Sequence, residues 1–186
     1  MDIKNIIKSH LQVIKTLENQ QELISETGKK LSEVIKNGKK IFFMGNGGSA
    51  ADSQHLAAEL IGRFNKERVS VPAIALTTDT SILTAVGNDY SYDHIFTRQI
   101  QGLCSAGDAV VGLSTSGNSK NVENAMNEAK LKGAITVALS GKDGGTLKNT
   151  ADISIIVDSE VTARIQEAHI LIGHIICEII EEDICG

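Results

Sequence analysis

Apolar residues recur at three- and four-residue intervals along the first part of the chain: Ile3, Ile6, Ile7, Leu11, Ile14, Leu17, Ile24, Leu31, Val34 and Ile35. That spacing predicts two amphipathic helices over residues 1–37, broken near Gly28 and closed by Gly38. From residue 38 the period changes. Short apolar runs stand at Ile41–Met44, Ala73–Leu76, Ala109–Leu113, Ala134–Leu139 and Ile153–Val157. They are too short for typical helices and lack strict alternation, which is the pattern of strands covered on both faces. Helical stretches are predicted at Ala50–Gly62, Tyr92–Cys104 and Lys120–Lys132, and a last long helix over Val161–Glu182. Strands alternating with helices predict an α/β chain: a five-stranded parallel sheet in a three-layer sandwich, with long helices at both ends. The expected organisation is a single domain over 1–186, with a helical segment at 1–37, a sheet core at 38–160 and a C-terminal helix at 161–182.

Composition narrows the chemistry. With 186 residues, 41% of them hydrophobic, the chain can bury a core without disulfide or metal staples. The net charge of −5 leaves no basic surplus to displace counterions from a nucleic acid, and zero Trp with two Tyr offers few stacking platforms. No nucleic-acid partner is expected. No apolar run approaches the roughly 18 residues that span a bilayer, so no membrane partner is expected either. The opening Met1-Asp2-Ile3-Lys4-Asn5 lacks the layout of a secretion leader. Three cysteines without a CxxC pair predict free thiols in a reducing cytoplasm.

In parallel sheets ligands sit beyond the carboxyl ends of the strands, so the strand-end loops carry the candidates. After the first strand, Gly45-Asn46-Gly47-Gly48-Ser49-Ala50 meets the relaxed dinucleotide fingerprint. The acidic residue that should close the next strand is missing, since that strand ends in Leu76-Thr77-Thr78. The loop therefore predicts a tight turn whose backbone at Asn46 to Gly48 can meet a polar ligand. After the third strand, Ser114, Thr115, Ser116 and Ser119 surround Gly117 ahead of a helix, where unpaired N–H groups and the helix dipole favour a phosphate. The simpler alternative has Ser119 only capping that helix. His55 and Glu59, at i and i+4, share one helix face and could share a divalent metal, or form an ordinary surface ion pair. On the last helix Gln166 and His174 fall on one side but about 12 Å apart along the axis. Taken alone, His174 reads as a buried histidine bonded to a neighbour, and Glu167 and His169 as polar-face residues.

Together, Met44-Gly45-Asn46-Gly47-Gly48-Ser49, His55-x3-Glu59, Gly87-Asn88-Asp89-Tyr90, Leu113-Ser114-Thr115-Ser116-Gly117-Asn118-Ser119 and Arg164-Ile165-Gln166-Glu167-x-His169 with His174 resemble the phosphoheptose isomerase branch of the sugar-isomerase (SIS) domain family. The likeness spans nearly the whole chain, with the motifs in order. It implies a cytoplasmic homotetramer with active sites at subunit interfaces. It implies conversion of sedoheptulose 7-phosphate to D-glycero-D-manno-heptose 7-phosphate through an enediol, the first step toward bacterial ADP- or GDP-heptose for lipopolysaccharide or capsule. By the family pattern, one Zn2+ per subunit is held by His55, Glu59, Gln166 and His174. Asn46, Gly47, Gly48, Glu59, Asn88, Asp89, Ser114, Thr115, Ser116, Ser119 and Gln166 line the sugar-phosphate site. Glu59 is then the base at carbon, His174 its acid/base partner, and Asp89 holds a sugar hydroxyl. Independently of the family, the wide apolar faces of the two long flanking helices predict pairing with another subunit, unless both only cover the sheet. Two rival functions are a non-catalytic SIS relative that binds the replication initiator and an isomerase of another phosphosugar.

Overall fold

In the computed structural model, which describes residues 2–185, the five apolar runs become β1 (Ile41–Gly45), β2 (Ala73–Ala75), β3 (Ala109–Ser114), β4 (Ile135–Gly141) and β5 (Ile153–Val157). All pair in parallel, in the order β2-β1-β3-β4-β5. Every residue of β1 and β3 is buried, because helices cover both faces there; the edge strands β2 and β5 are partly open. The period of two survives as a choice between two cores. Phe43, Val111 and Leu139 pack with Leu31, Leu56, Leu60 and Ile172 on one face, whereas Phe42, Met44, Val110 and Ala138 pack with Phe96, Ile100, Val122 and Met126 on the other.

The first helical segment forms α1 (Ile3–Thr16), a 3-10 turn at Leu17–Gln20 and α2 (Gln21–Lys36). The break therefore lies at Leu17–Gln20, not near Gly28. Gly28 is inside α2, where a Cβ would stand 2.8 Å from Ile179 of the last helix, α8 (Thr162–Cys185). The glycine serves the close crossing of two helices rather than a turn. Gly38, with φ +71°, closes α2 as expected, its N–H donating to the Ile35 carbonyl.

Between the strands lie α3 (Gly48–Ile61), α4 (Thr80–Asp89), α5 (Thr97–Leu103), α6 (Lys120–Leu131) and α7 (Leu147–Thr150). The helix predicted at Tyr92–Cys104 divides into a 3-10 turn, Tyr92–His94, and α5. Helix α4 had no strong apolar period to reveal it, since none of its residues is buried. It is started by the Asp79 carboxylate, which accepts the Ile82 N–H at 2.9 Å. Among the described residues, no helix is long and apolar enough to cross a membrane, and Cys104, Cys177 and Cys185 are free.

This strand order reverses direction between β1 and β3, where Gly45 stands in register with Leu113. The loops after these two strands thus lie side by side at the topological switch point, where a doubly wound sheet opens a crevice for ligand.

Candidate active site

The first loop reverses at Gly47, whose φ of +59° suits glycine, and the N–H groups of Ser49 and Ala50 turn back to the Asn46 and Gly47 carbonyls. Asn46 and Asn121, on the first turn of α6, exchange two amide hydrogen bonds: each Nδ2 donates to the other's Oδ1 at 2.9 Å. The Tyr92 hydroxyl also donates to Asn46 Oδ1, at 3.0 Å. Buried Asn121 therefore fastens the first loop to the second.

In the second loop the Ser114 and Ser119 hydroxyls lie 2.8 Å apart, and Ser114 and Ser116 3.4 Å. Ser116 Oγ accepts the Asn118 N–H, and Thr115 is half-buried beside it. Ser119 occupies the N-cap position of α6 without a capping hydrogen bond from its side chain. The purely capping alternative is thereby corrected: the hydroxyl is turned into the loop, toward Ser114. The loop is braced from behind. Gly117 has φ +67°, and a Cβ there would run into the Gly144 carbonyl. Leu147 N–H donates to the Gly117 carbonyl and Thr146 N–H to Asn118 Oδ1, both at 3.0 Å.

Further along α3, His55 Nε2 lies 2.9 Å from Glu59 Oε1, one helical turn on. From α8, His174 brings its Nε2 to 3.3 Å from that of His55, with the two rings edge-on at 69°. Ligand atoms of His55, Glu59 and His174 all fall within 4.8 Å of one another. His174 is thus half-buried and turned to the two α3 residues, correcting its reading as a core histidine. Burial lowers its pKa first and the neighbouring His55 lowers it further, against an opposing pull from Glu59. A neutral imidazole offers a lone pair, and two imidazoles with one carboxylate form a donor set that suits zinc. Asp52, one turn before His55, carries a buried Oδ2 with no hydrogen-bond partner, and burial raises its carboxyl pKa against the pull of His55.

The SIS domain family model matches residues 6–141. The phosphoheptose isomerase of Sulfurimonas denitrificans is 53% identical over 99% of this chain and 96% of its own length. The chain belongs to the phosphoheptose isomerase branch of the SIS domain family. Among solved structures, the phosphoheptose isomerase of Neisseria gonorrhoeae superposes with a TM-score of 0.92 at 40% identity, covering 97% of both chains. That of Francisella tularensis gives 0.94 at 36%, covering 97% of this chain and 96% of its own.

Of the other residues that the family pattern marks, Gln166 lies with its amide directly over Gly48, where a Cβ would collide with it. It joins α8 to the first loop. Asn88 and Asp89 are exposed at the end of α4, Asn88 Nδ2 donating to Asp89 Oδ1 at 2.9 Å. The structure does not bring this pair into the cluster of His55, Glu59 and His174. His169 is not a polar-face residue, whereas the partly exposed Glu167 is one. Glu167 pairs with Arg164 and with His10 Nδ1, tying α8 to α1. His169 is fully buried, its Nε2 donating to the Ser140 carbonyl at 3.0 Å, and burial lowers its pKa to about 4. Asn121 and Tyr92 escaped the sequence analysis. Their only sequence signal is a lone amide just after the serine loop and a tyrosine between two helices, and neither reveals a partner on another loop.

Proposed function

We propose that this site interconverts sedoheptulose 7-phosphate and D-glycero-D-manno-heptose 7-phosphate, the entry to bacterial nucleotide-activated heptose. The observation that carries the reading is the convergence of His55, Glu59 and His174 on α3 and α8, with α3 starting from the loop that Asn46 and Asn121 fasten to the hydroxyl-rich one. A second isomerase substrate is not favoured by any feature of the site.

The serine loop is the phosphate seat. Ser114, Thr115, Ser116 and Ser119 donate from hydroxyls, the α6 N-terminus adds its partial positive charge, and the backbone of Asn46, Gly47 and Gly48 closes the near side. Gln166, over Gly48, is set to orient the sugar chain. His55 lies seven residues down α3 from Gly48, about 10 Å along its axis, so phosphate and reacting carbons occupy opposite ends of the crevice. Asn88 and Asp89, exposed in one subunit, are assigned to the sugar hydroxyls of a site completed at a subunit interface.

Aldose–ketose isomerisation moves a proton between C1 and C2 and a second between their oxygens. Glu59 takes and returns the carbon proton, and His174 serves the oxygens. His55, Glu59 and His174 would hold one zinc ion, with Gln166 as fourth ligand only once its amide turns away from Gly48; when bound, the ion would polarise the substrate carbonyl. The His55 contact uses Glu59 Oε1 and leaves Oε2 for the carbon proton. His174 likewise has a second ring nitrogen beyond the one facing His55.

The protein is assigned to the cytoplasm, where its thiols stay reduced, and to a homotetramer. Helix α1 buries no residue and exposes Ile3, Ile7 and Leu11, and a surface groove of about 310 Å3 beside it is lined by Ile14, Leu17, Ile24, Leu171, Ile175 and Ile179. Such a surface suits a second copy of the chain.

The decisive experiment is incubation of zinc-loaded protein with sedoheptulose 7-phosphate in deuterated water, with Glu59→Gln as the control. An aldoheptose phosphate carrying deuterium, absent with the variant, is expected. No new sugar and no exchange would remove the isomerase reading and favour the initiator-binding relative.

A further inference from the structure

We propose that the buried Arg68–Glu181 ion pair is a positioning device for the active site, folding the loop after α3 so that Phe64 is held against His174. The proposal rests on the reading of His55, Glu59 and His174 as a zinc-holding isomerase centre, and neither charged residue touches the side chains of that centre.

The loop between α3 and β2, residues 62–72, has no secondary structure of its own. Its order comes from one carboxylate. Glu181 accepts the backbone N–H groups of Phe64, Asn65 and Lys66 at 2.9, 2.6 and 2.8 Å, and Arg68 Nε at 3.1 Å. Both side chains are almost wholly buried, 2% exposed for Arg68 and 1% for Glu181. The rest of the guanidinium faces α3. It donates to the carbonyls of Glu59 at 2.7 Å and Leu60 at 2.9 Å, and to those of Gly62 and Val69. Arg68 thus satisfies the last carbonyls of α3, which a helix end leaves without partners.

Three consequences meet at the metal ligands. The α3 turn carrying Glu59 is held at its carbonyl by Arg68. Glu181 lies seven residues after His174, on the same face of α8. The loop that Glu181 folds places the Phe64 ring 5.5 Å from the His174 ring, tilted at 37°. One ion pair therefore spans the two helices that supply the ligands and packs a ring against one of them. Simple stability does not require this choice, because a buried pair loses in desolvation about what it gains in attraction and apolar residues often serve as well. What an apolar pair could not do is gather three main-chain N–H groups and four carbonyls at one point.

The test compares the full-length protein with Glu181→Gln, Phe64→Leu and Phe64→Tyr. It measures zinc affinity of the metal-free protein by calorimetry, steady-state kinetics, and fold by circular dichroism. Phe64 is only half-buried, so its variants fold even if Glu181→Gln does not. Expected for Phe64→Leu are zinc binding weakened about tenfold and kcat lowered on the order of tenfold to a hundredfold with KM little changed, restored by Phe64→Tyr. Glu181→Gln, where folded, shows the same pattern. Phe64→Leu with wild-type zinc affinity and kcat would overturn the proposal, as would a folded Glu181→Gln that keeps both. A wild type that binds zinc but isomerises nothing would sink the isomerase reading instead, and the zinc affinities of the variants would still decide the clamp.

Discussion

Ser119 shows how a single side chain separates a capping role from a binding one. Its hydroxyl bonds Ser114 at 2.8 Å instead of capping α6, and the Ser116 hydroxyl meets the Asn118 N–H and, at 3.4 Å, Ser114. Removing both hydroxyls therefore costs the fold little and the phosphate much. Ser116→Ala with Ser119→Ala should raise KM for the sugar phosphate by roughly a hundredfold or more, at about 1.5–3 kcal/mol for each of the two lost bonds to a charged group, with kcat nearly unchanged. Steady-state kinetics checks this, and an unchanged KM would dispose of the phosphate seat. His169 has the opposite character: buried, neutral and far below its ordinary pKa at about 4. Between pH 6.5 and 4 the unfolded chain binds a proton there that the folded one refuses, so its contribution to stability is complete above pH 6.5 and is lost as pH falls toward 4. Denaturant titrations across that window should show a flatter pH dependence for His169→Gln than for the wild type. The sequence made His55 and Glu59 legible as a pair because i and i+4 always share a helix face. It could not reveal His174 as their third member, because that contact joins two helices more than a hundred residues apart.

Helix crossings decide where the ligands stand. At Gly173 a Cβ would lie 2.5 Å from the Leu56 side chain of α3, so that side chain packs directly on the α8 backbone one residue from His174 and one from His55. Gly173→Ala should push the helices apart. A loss of about 1–3 kcal/mol of stability is expected from overpacking, with a fall in zinc affinity, read by thermal unfolding and calorimetry. Normal zinc binding in that variant would mean that the crossing does not set the ligand geometry. Elements with a buried stripe were readable: β1, β3, β4 and α6 lie within two residues of their predicted bounds. Helix α4 and the split of Tyr92–Cys104 were not, since α4 buries no residue and the 3-10 turn at Tyr92–His94 depends on a Ser91 cap and on the hydrogen bond from the Tyr92 hydroxyl to Asn46. The break misplaced at Gly28 has the same origin. A glycine in a helix reads as a stop until the partner helix is known.

Helix α1 reaches its own chain through Arg164, which donates to the Ile6 carbonyl at 2.9 Å, and through the His10–Glu167 pair, while its Ile3, Ile7 and Leu11 remain exposed. In the proposed tetramer those side chains are covered. Ile7→Glu with Leu11→Glu should lower the assembly state in light scattering while far-ultraviolet circular dichroism stays unchanged, because neither residue is buried in the single chain. Loss of turnover in parallel would support sites completed by a second subunit; an unchanged molar mass would leave α1 out of the interface. The strand runs, the terminal helices and the hydroxyl-rich loop could be read from the chain because they depend on neighbours within a few residues. Strand order, the meeting of the two loops through Asn46 and Asn121, the ring of Phe64 on His174 and the burial of His169 could not. Each is a contact between segments distant in sequence, and only the packing of the whole sheet and its helices selects which of many such pairs is made.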